Sequence, residues 1–188
     1  SKLYNILSYF LVWKDIYVQE LIKRNFSGPT IWLLDKDINS NKRMYRLLQG
    51  DVGSGKTIVA FLSIIHVVEN GFQGVLMAPT EILAYQHYIL FKKYENILGI
   101  KICLLTSKIQ NNIKKSYIND IKIGKINIVV GTHAIIQSSI KFKNLRLAII
   151  DEQHRFGVYQ RLELSKKSPN TDFMVMTATP IPRTLVLT

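Results

Sequence analysis

Gly50-Asp51-Val52-Gly53-Ser54-Gly55-Lys56-Thr57 is the stretch that decides how this chain is read. It fits the pattern Gly-x-x-x-x-Gly-Lys-Thr of a phosphate-binding loop. Glycines let the backbone curl so that successive N–H groups turn inward on an anion. A helix starting at the end of the loop adds the partial positive charge of its N-terminus. Lys56 then reaches the β- and γ-phosphates, and the Thr57 hydroxyl is placed to bind Mg²⁺. The flanks supply the required context: a strand-length apolar run, Tyr45 to Gln49, leads in, and a helix-length stretch, Thr57 to Asn70, leads out.

Outward from the loop, short apolar runs alternate with longer amphipathic ones. After Tyr45 to Gln49 the short runs are Val75 to Ala78, Ile102 to Leu105, Ile126 to Val130, Leu145 to Ile150 and Phe173 to Met176. They are apolar at nearly every position, as strands covered on both faces are. The long ones are Thr57 to Asn70, Thr80 to Leu98 and Lys108 to Ile123. The first two short runs begin about thirty residues apart, the size of one strand–helix–strand unit. The expectation is an α/β fold, an open and mostly parallel sheet flanked by helices, with right-handed crossovers. Nearly every short run is followed at once by a polar or glycine cluster: Pro79-Thr80-Glu81, Gly131-Thr132-His133, Asp151-Glu152-Gln153-His154 and Thr177-Ala178-Thr179. In a parallel sheet these clusters share the carboxyl edge, where ligands bind in open α/β folds. Residues 1–44 read differently, as an aromatic-rich helical segment broken at Asn25-Phe26-Ser27-Gly28-Pro29 that leads into the domain of residues 45–188.

Composition narrows the class. The 188 residues are 47% hydrophobic, too apolar for a disordered tail and enough for one compact domain with a sizeable core. No run approaches the roughly 18 apolar residues of a membrane span, and no secretory leader is visible. A single cysteine, Cys103, excludes an internal disulfide framework and points to a reducing compartment. The net charge of +12 invites a polyanion such as nucleic acid. An A/T-rich coding sequence, with its excess of Lys, Ile and Asn, yields the same charge without a partner. Lys92-Lys93, Lys114-Lys115 and Lys166-Lys167 read as solvated helix faces.

Two acids complete the chemistry. Asp151, at the end of the run Leu145 to Ile150, can hold the Mg²⁺ shell from the side opposite Thr57. Glu152 beside it can polarise an attacking water. The histidines, His66, His87, His133 and His154, show no metal-ligand spacing with each other or with Cys103, and His66 and His87 read as ordinary helix residues. There is no Gly-x-Ser-x-Gly elbow. Serine or zinc hydrolysis is disfavoured, and nothing resembles the acceptor lid of a nucleotide kinase.

Five clusters in order, Arg46 to Thr57, Met77 to Glu81, Val130 to Ile135, Asp151 to Val158 and Met176 to Leu185, resemble motifs I, Ia, Ib, II and III of superfamily 2 helicases, and within them the RecG-type branch-migration helicases. The resemblance implies a RecA-like phosphate-loop NTPase fold, and ATP and Mg²⁺ as cofactors held by Gly50, Asp51, Val52, Gly53, Ser54, Gly55, Lys56 and Thr57. It implies Asp151 as metal ligand and Glu152 as the residue on the hydrolytic water. Gln153, His154, Thr177 and Thr179 would link nucleotide state to DNA grip. Pro79, Thr80, Glu81, Gly131, Thr132 and His133 would contact the DNA backbone without reading sequence. Branched double-stranded DNA and a bacterial cytoplasmic setting are implied too, with no membrane partner. A second motor lobe with its arginine finger and an amino-terminal wedge domain, all expected outside these 188 residues, complete the implied machine. Without the finger, worth roughly 10³ to 10⁵ in rate, the chain is expected to turn ATP over very slowly. Transcription-repair coupling factors share much of motifs II and III, but Gln153-His154 favours the RecG type over them. A nucleotide- or DNA-binding remnant without turnover is the other alternative. One departure concerns the base: the Leu-Thr-x-x-Gln element that recognises adenine in the family is missing, since Gln19 is the only glutamine before Gln49.

Overall fold

The computed structural model describes residues 43–152 and 158–178, with the side chains of 158–161 excepted. The segment 1–42 and residues Gln153, His154 and Thr179 lie outside the described residues.

Six strands alternate with helices: β1 (Tyr45–Gln49), α1 (Lys56–Glu69), β2 (Gln73–Met77), α2 (Glu81–Lys92), α3 (Glu95–Leu98), β3 (Ile102–Leu105), α4 (Asn111–Lys122), β4 (Ile128–Gly131), β5 (Leu145–Asp151), α5 (Val158–Lys167) and β6 (Asp172–Thr177). A 3-10 turn, His133–Ile136, follows β4. The strands form one sheet in the order β1-β6-β5-β2-β4-β3, and every pairing is parallel. This is the open α/β sheet that the sequence predicts, with β1 and β2 parted by the two strands that come last.

Alternate residues of each central strand feed two different cores. Leu76, Ile128, Val130, Leu147, Ile149, Met174 and Met176 pack with the buried face of α1 and with Phe91 and Leu98. Val75, Val129, Ala148 and Ile150 pack on the other side with Ile121, Leu164 and the 3-10 turn residues Ala134 and Ile135. Sheet residues that are apolar at every position therefore bury both faces, which is why period-2 alternation is missing from the sequence. β1 departs from this rule. It is an edge strand of the described sheet, paired with β6, and Tyr45, Arg46 and Leu47 are exposed while Leu48 reaches the core.

The predicted helix Thr80 to Leu98 is two helices. The chain turns at Lys93 and Tyr94, and Phe91 and Tyr94 both lie against Phe61, with ring centroids at 4.4 and 5.3 Å. Tilted aromatic contacts of this kind contribute roughly 0.5–1.5 kcal/mol each beyond the area they bury. α5 is an element that the alternation of runs does not reveal, being short and polar over much of its length.

Candidate functional site at the carboxyl edge of the sheet

The strand registers bring the carboxyl ends to one rim. Gln49 is aligned with Thr177, Met176 with Asp151, Ile150 with Met77, Met77 with Gly131, and Gly131 with Leu105. The loop after β1 and the carboxylate that ends β5 are thus two strands apart, about 10 Å at the usual strand spacing. β6 lies between them.

Within the loop, Gly53 and Gly55 take left-handed backbone angles, φ 82° and 90°, which only glycine adopts without cost. Gly50 N donates to Thr177 O at 3.2 Å and Ser54 N to Asp51 O at 3.1 Å, which ties the loop to β6 and curls it on itself. A Cβ on Gly50 would fall 2.6 Å from Ser54 Oγ. α1 begins at Gly55 with no side-chain cap and no acid in its first turn, so its N-terminal amides keep their positive field. Lys56 donates its ammonium to Gly50 O at 2.5 Å and Asp51 O at 2.9 Å. A curled, glycine-permitted loop, an uncapped helix start and a lysine satisfied by neutral carbonyls together make a receptor for a polyanion.

Asp151 is 9% exposed, and its Oδ2 lies 2.9 Å from His87 Nε2. Oδ1 takes no hydrogen bond among the described residues. Glu152 has φ 52°, the only positive value at a described non-glycine residue. Such backbone costs about 1–3 kcal/mol and persists where neighbours fix it. Here Glu152 N donates to Met176 O at 2.9 Å, and Ala178 N donates to Glu152 Oε1 at 3.2 Å. The two acids are thereby pinned, one by a helix and one by the end of β6. No cluster of three or more His, Cys, Asp or Glu stands ready as a metal cage among the described residues. A divalent ion held at Asp151 would therefore draw most of its ligands from phosphate oxygens and water, as Mg²⁺ commonly does.

The remaining rim residues are placed as follows. Pro79 and Thr80 are half-buried, and Thr80 Oγ1 caps α2 by accepting from Leu83 N at 3.2 Å. Its hydroxyl hydrogen is not used by that bond. Glu81 accepts from Ser107 Oγ at 2.7 Å and pairs with Lys108 Nζ at 3.0 Å, so its carboxylate joins the loops after β2 and β3. Those two donors hold Glu81 below the usual carboxylate range, Ser107 contributing most. Thr132 is buried, His133 is exposed, and Thr177 is buried with its carbonyl on the loop.

His87 is the partner that the sequence reading passed over as an ordinary helix residue. The signal was present: the buried residues of α2 are Ala84, His87 and Phe91, so a histidine occupies the apolar stripe of an amphipathic helix. Ser107 and Lys108 carry no such signal, because their link to Glu81 depends on which strands become neighbours.

The profile of the DEAD/DEAH box helicases matches residues 34–187. The chain belongs to this helicase family. Among curated relatives, this DEAD/DEAH box helicase chain is 51% identical over 154 residues to the ATP-dependent DNA helicase RecG of Aquifex aeolicus, a match over 81% of the chain and 19% of the relative. It is 50% identical over 156 residues to RecG of Bacillus subtilis, over 81% and 22%, and 46% identical over 159 residues to RecG of Pasteurella multocida, over 82% and 23%. The helicase chain thus spans about a quarter or less of the length of these relatives. A solved structure of RecG bound to a three-way DNA junction superposes with TM-score 0.74 and 41% identity, over 91% of this chain and 24% of that one. A DEAD box protein from Methanococcus jannaschii shares the fold, with TM-score 0.63 at 22% identity over 83% of this chain and 43% of that one. No helix among the described residues is long and apolar enough to cross a membrane.

Proposed function

We propose that the chain is the nucleotide-binding motor lobe of a RecG-type, ATP-dependent DNA helicase, residues 45–188 forming the lobe and 1–44 leading into it. The observation that carries the reading is the common rim. The registers set the curled loop and the Asp151 carboxylate on either side of the end of β6, and phosphate-loop chemistry needs that loop and a metal-holding acid beside one triphosphate.

In this reading Gly50 to Thr57 hold the phosphates of ATP, with the amides of the loop and of the first turn of α1 as donors. Lys56 exchanges its two loop carbonyls for phosphate oxygens. Thr57 and Asp151 are the protein ligands of Mg²⁺. Bound there, Mg²⁺ neutralises charge that builds on the phosphoryl oxygens. Glu152, fixed against Ala178, orients and deprotonates the attacking water through the carboxylate oxygen not engaged by that amide. Gln153, His154, Thr177 and Thr179 relay the nucleotide state. Pro79, Thr80 and His133 face the DNA backbone, buried Gly131 and Thr132 shape the turn that presents His133, and Glu81 holds the loop after β2 in place from Ser107 and Lys108. A complete enzyme of this type would act on branched duplex DNA in a bacterial cytoplasm, with a second lobe and a wedge domain.

The test is DNA-stimulated phosphate release by the purified chain with and without an added second motor lobe of a RecG-type relative. Release restored by the added lobe and abolished by Lys56→Ala is expected. No release in either case, together with nucleotide affinity equal in wild type and Lys56→Ala, would overturn the reading.

A further inference from the structure

We propose that His87 is a positioning residue for Asp151, fixing the carboxylate so that its Oδ1 serves the divalent ion; this rests on the nucleotide site proposed above. His87 stands on the buried face of α2, between Ala84 and Phe91, and reaches the end of β5 from the side of the sheet that α1 and α2 cover. The 2.9 Å contact joins side chains only 10% and 13% exposed. An ionised carboxylate has no hydrogen to give, so Nε2 carries the proton and donates to Oδ2. The geometry removes one oxygen from use and stops rotation of the carboxylate about its own bond, which leaves Oδ1 in a fixed place.

A buried histidine that merely filled the core needs no acid at this position, and a methionine or leucine would suit the stripe between Ala84 and Phe91 better. The cost of burying a second polar group beside Asp151 is offset only by the bond between them. Carboxylates that bind metals are themselves held by neighbouring hydrogen bonds, and loss of such a partner typically lowers metal affinity 10- to 100-fold. Residues His87 and Asp151 come from α2 and β5, 64 positions apart in the chain, so the pair is a product of the fold and not of local sequence.

Calorimetric affinity of the chain for a non-hydrolysable ATP analogue, measured in Mg²⁺ and again in EDTA, tests the assignment. The ratio of the two dissociation constants isolates the metal's share of binding. His87→Phe, which keeps an aromatic ring of somewhat larger size and removes the donor, is expected to reduce that ratio about tenfold while leaving the EDTA value unchanged. His87→Gln, whose amide reaches about as far as Nε2, is expected to restore it to within about threefold. In an Asp151→Asn background, His87→Phe should add no further loss, the mark of two residues acting as a unit. Should phenylalanine prevent folding, as judged by the thermal transition, His87→Asn replaces it, since its amide falls short of Asp151. An unchanged ratio in the donor-less variant, equal losses for the phenylalanine and glutamine variants, or a full further loss in the Asp151→Asn background would each overturn the proposal. If Asp151→Asn alone left the ratio unchanged, the metal site itself would fall, and the role of His87 with it.

Discussion

Gly131→Ala tests whether a rim glycine is there for contact with a ligand or for the sheet itself. A Cβ at residue 131 would lie 2.0 Å from Leu105 O and 2.9 Å from Leu105 C, with Ile135 Cδ1 at 3.2 Å, whereas ordinary contact begins near 3.4 Å. The obstacle is backbone, so no rotamer change relieves it, and the end of β3 must retreat by well over an ångström. β3 is the outer strand on that side of the described sheet, so it can retreat by peeling. Peeling breaks the bond from Thr132 N to Leu105 O, 3.2 Å long, at a cost of about 1 kcal/mol. Residual overpacking adds roughly 1–3 kcal/mol, for a total of about 2–4 kcal/mol. In a chain of this size each kcal/mol lowers the melting temperature by about 2–4 °C. A fall of roughly 4–16 °C by far-UV circular dichroism is expected. Gly53→Ala is the control: nothing lies within 4 Å of its added Cβ, and only the φ of +82° is strained, worth about 1–2 kcal/mol. A Gly131→Ala chain that melts no lower than the Gly53→Ala chain would refute the argument.

Glu152→Gln keeps an oxygen for Ala178 N but loses the base, so nucleotide affinity should hold within about twofold while phosphate release with an added lobe drops a hundredfold or more. The Glu81 carboxyl, held below its ordinary value of 4.5 by Ser107 and then Lys108, adds stability that is complete above that value and fades as pH falls through the lower, folded one. Glu81→Gln should therefore flatten the acid limb of a stability–pH curve, and an unaltered limb would count against the link. Burial pushes the Cys103 thiol well up from its ordinary value, which suppresses the reactive thiolate. At pH 8 a maleimide or Ellman's reagent should modify the native chain far more slowly than the urea-unfolded one; equal rates would contradict the packing around β3.

Which parts were legible follows from the range of the interactions that make them. Tyr45–Gln49 and Ile102–Leu105 are strands at their predicted bounds, because apolar runs ended by Gly or polar residues announce themselves locally. The break at Lys93 and Tyr94 is not local: it answers to Phe61 on another helix. The curl of the loop is legible in Gly53 and Gly55, since glycine is the residue that such φ values demand. The strain at Glu152 and the bond from His87 to Asp151 are not, because both arise from strands and helices brought side by side. Reading β1 as covered on both faces failed: at one edge of the described sheet Tyr45, Arg46 and Leu47 are exposed, whereas β3 at the other edge is buried, a difference set by which elements pack on each edge.

The insertion of β6 beside β1 sets a timetable. Met44 N bonds Asp172 Oδ1 across 128 positions of sequence, so a nascent chain leaving the ribosome displays its glycine loop long before the strand that anchors it has been made. Contacts closed over such spans slow folding, and until then the loop's strand stays an unmated ribbon open to misassociation. A chain ending between β5 and residue 172 would hold the loop and the acid as two separated halves, without the strand that pairs with both.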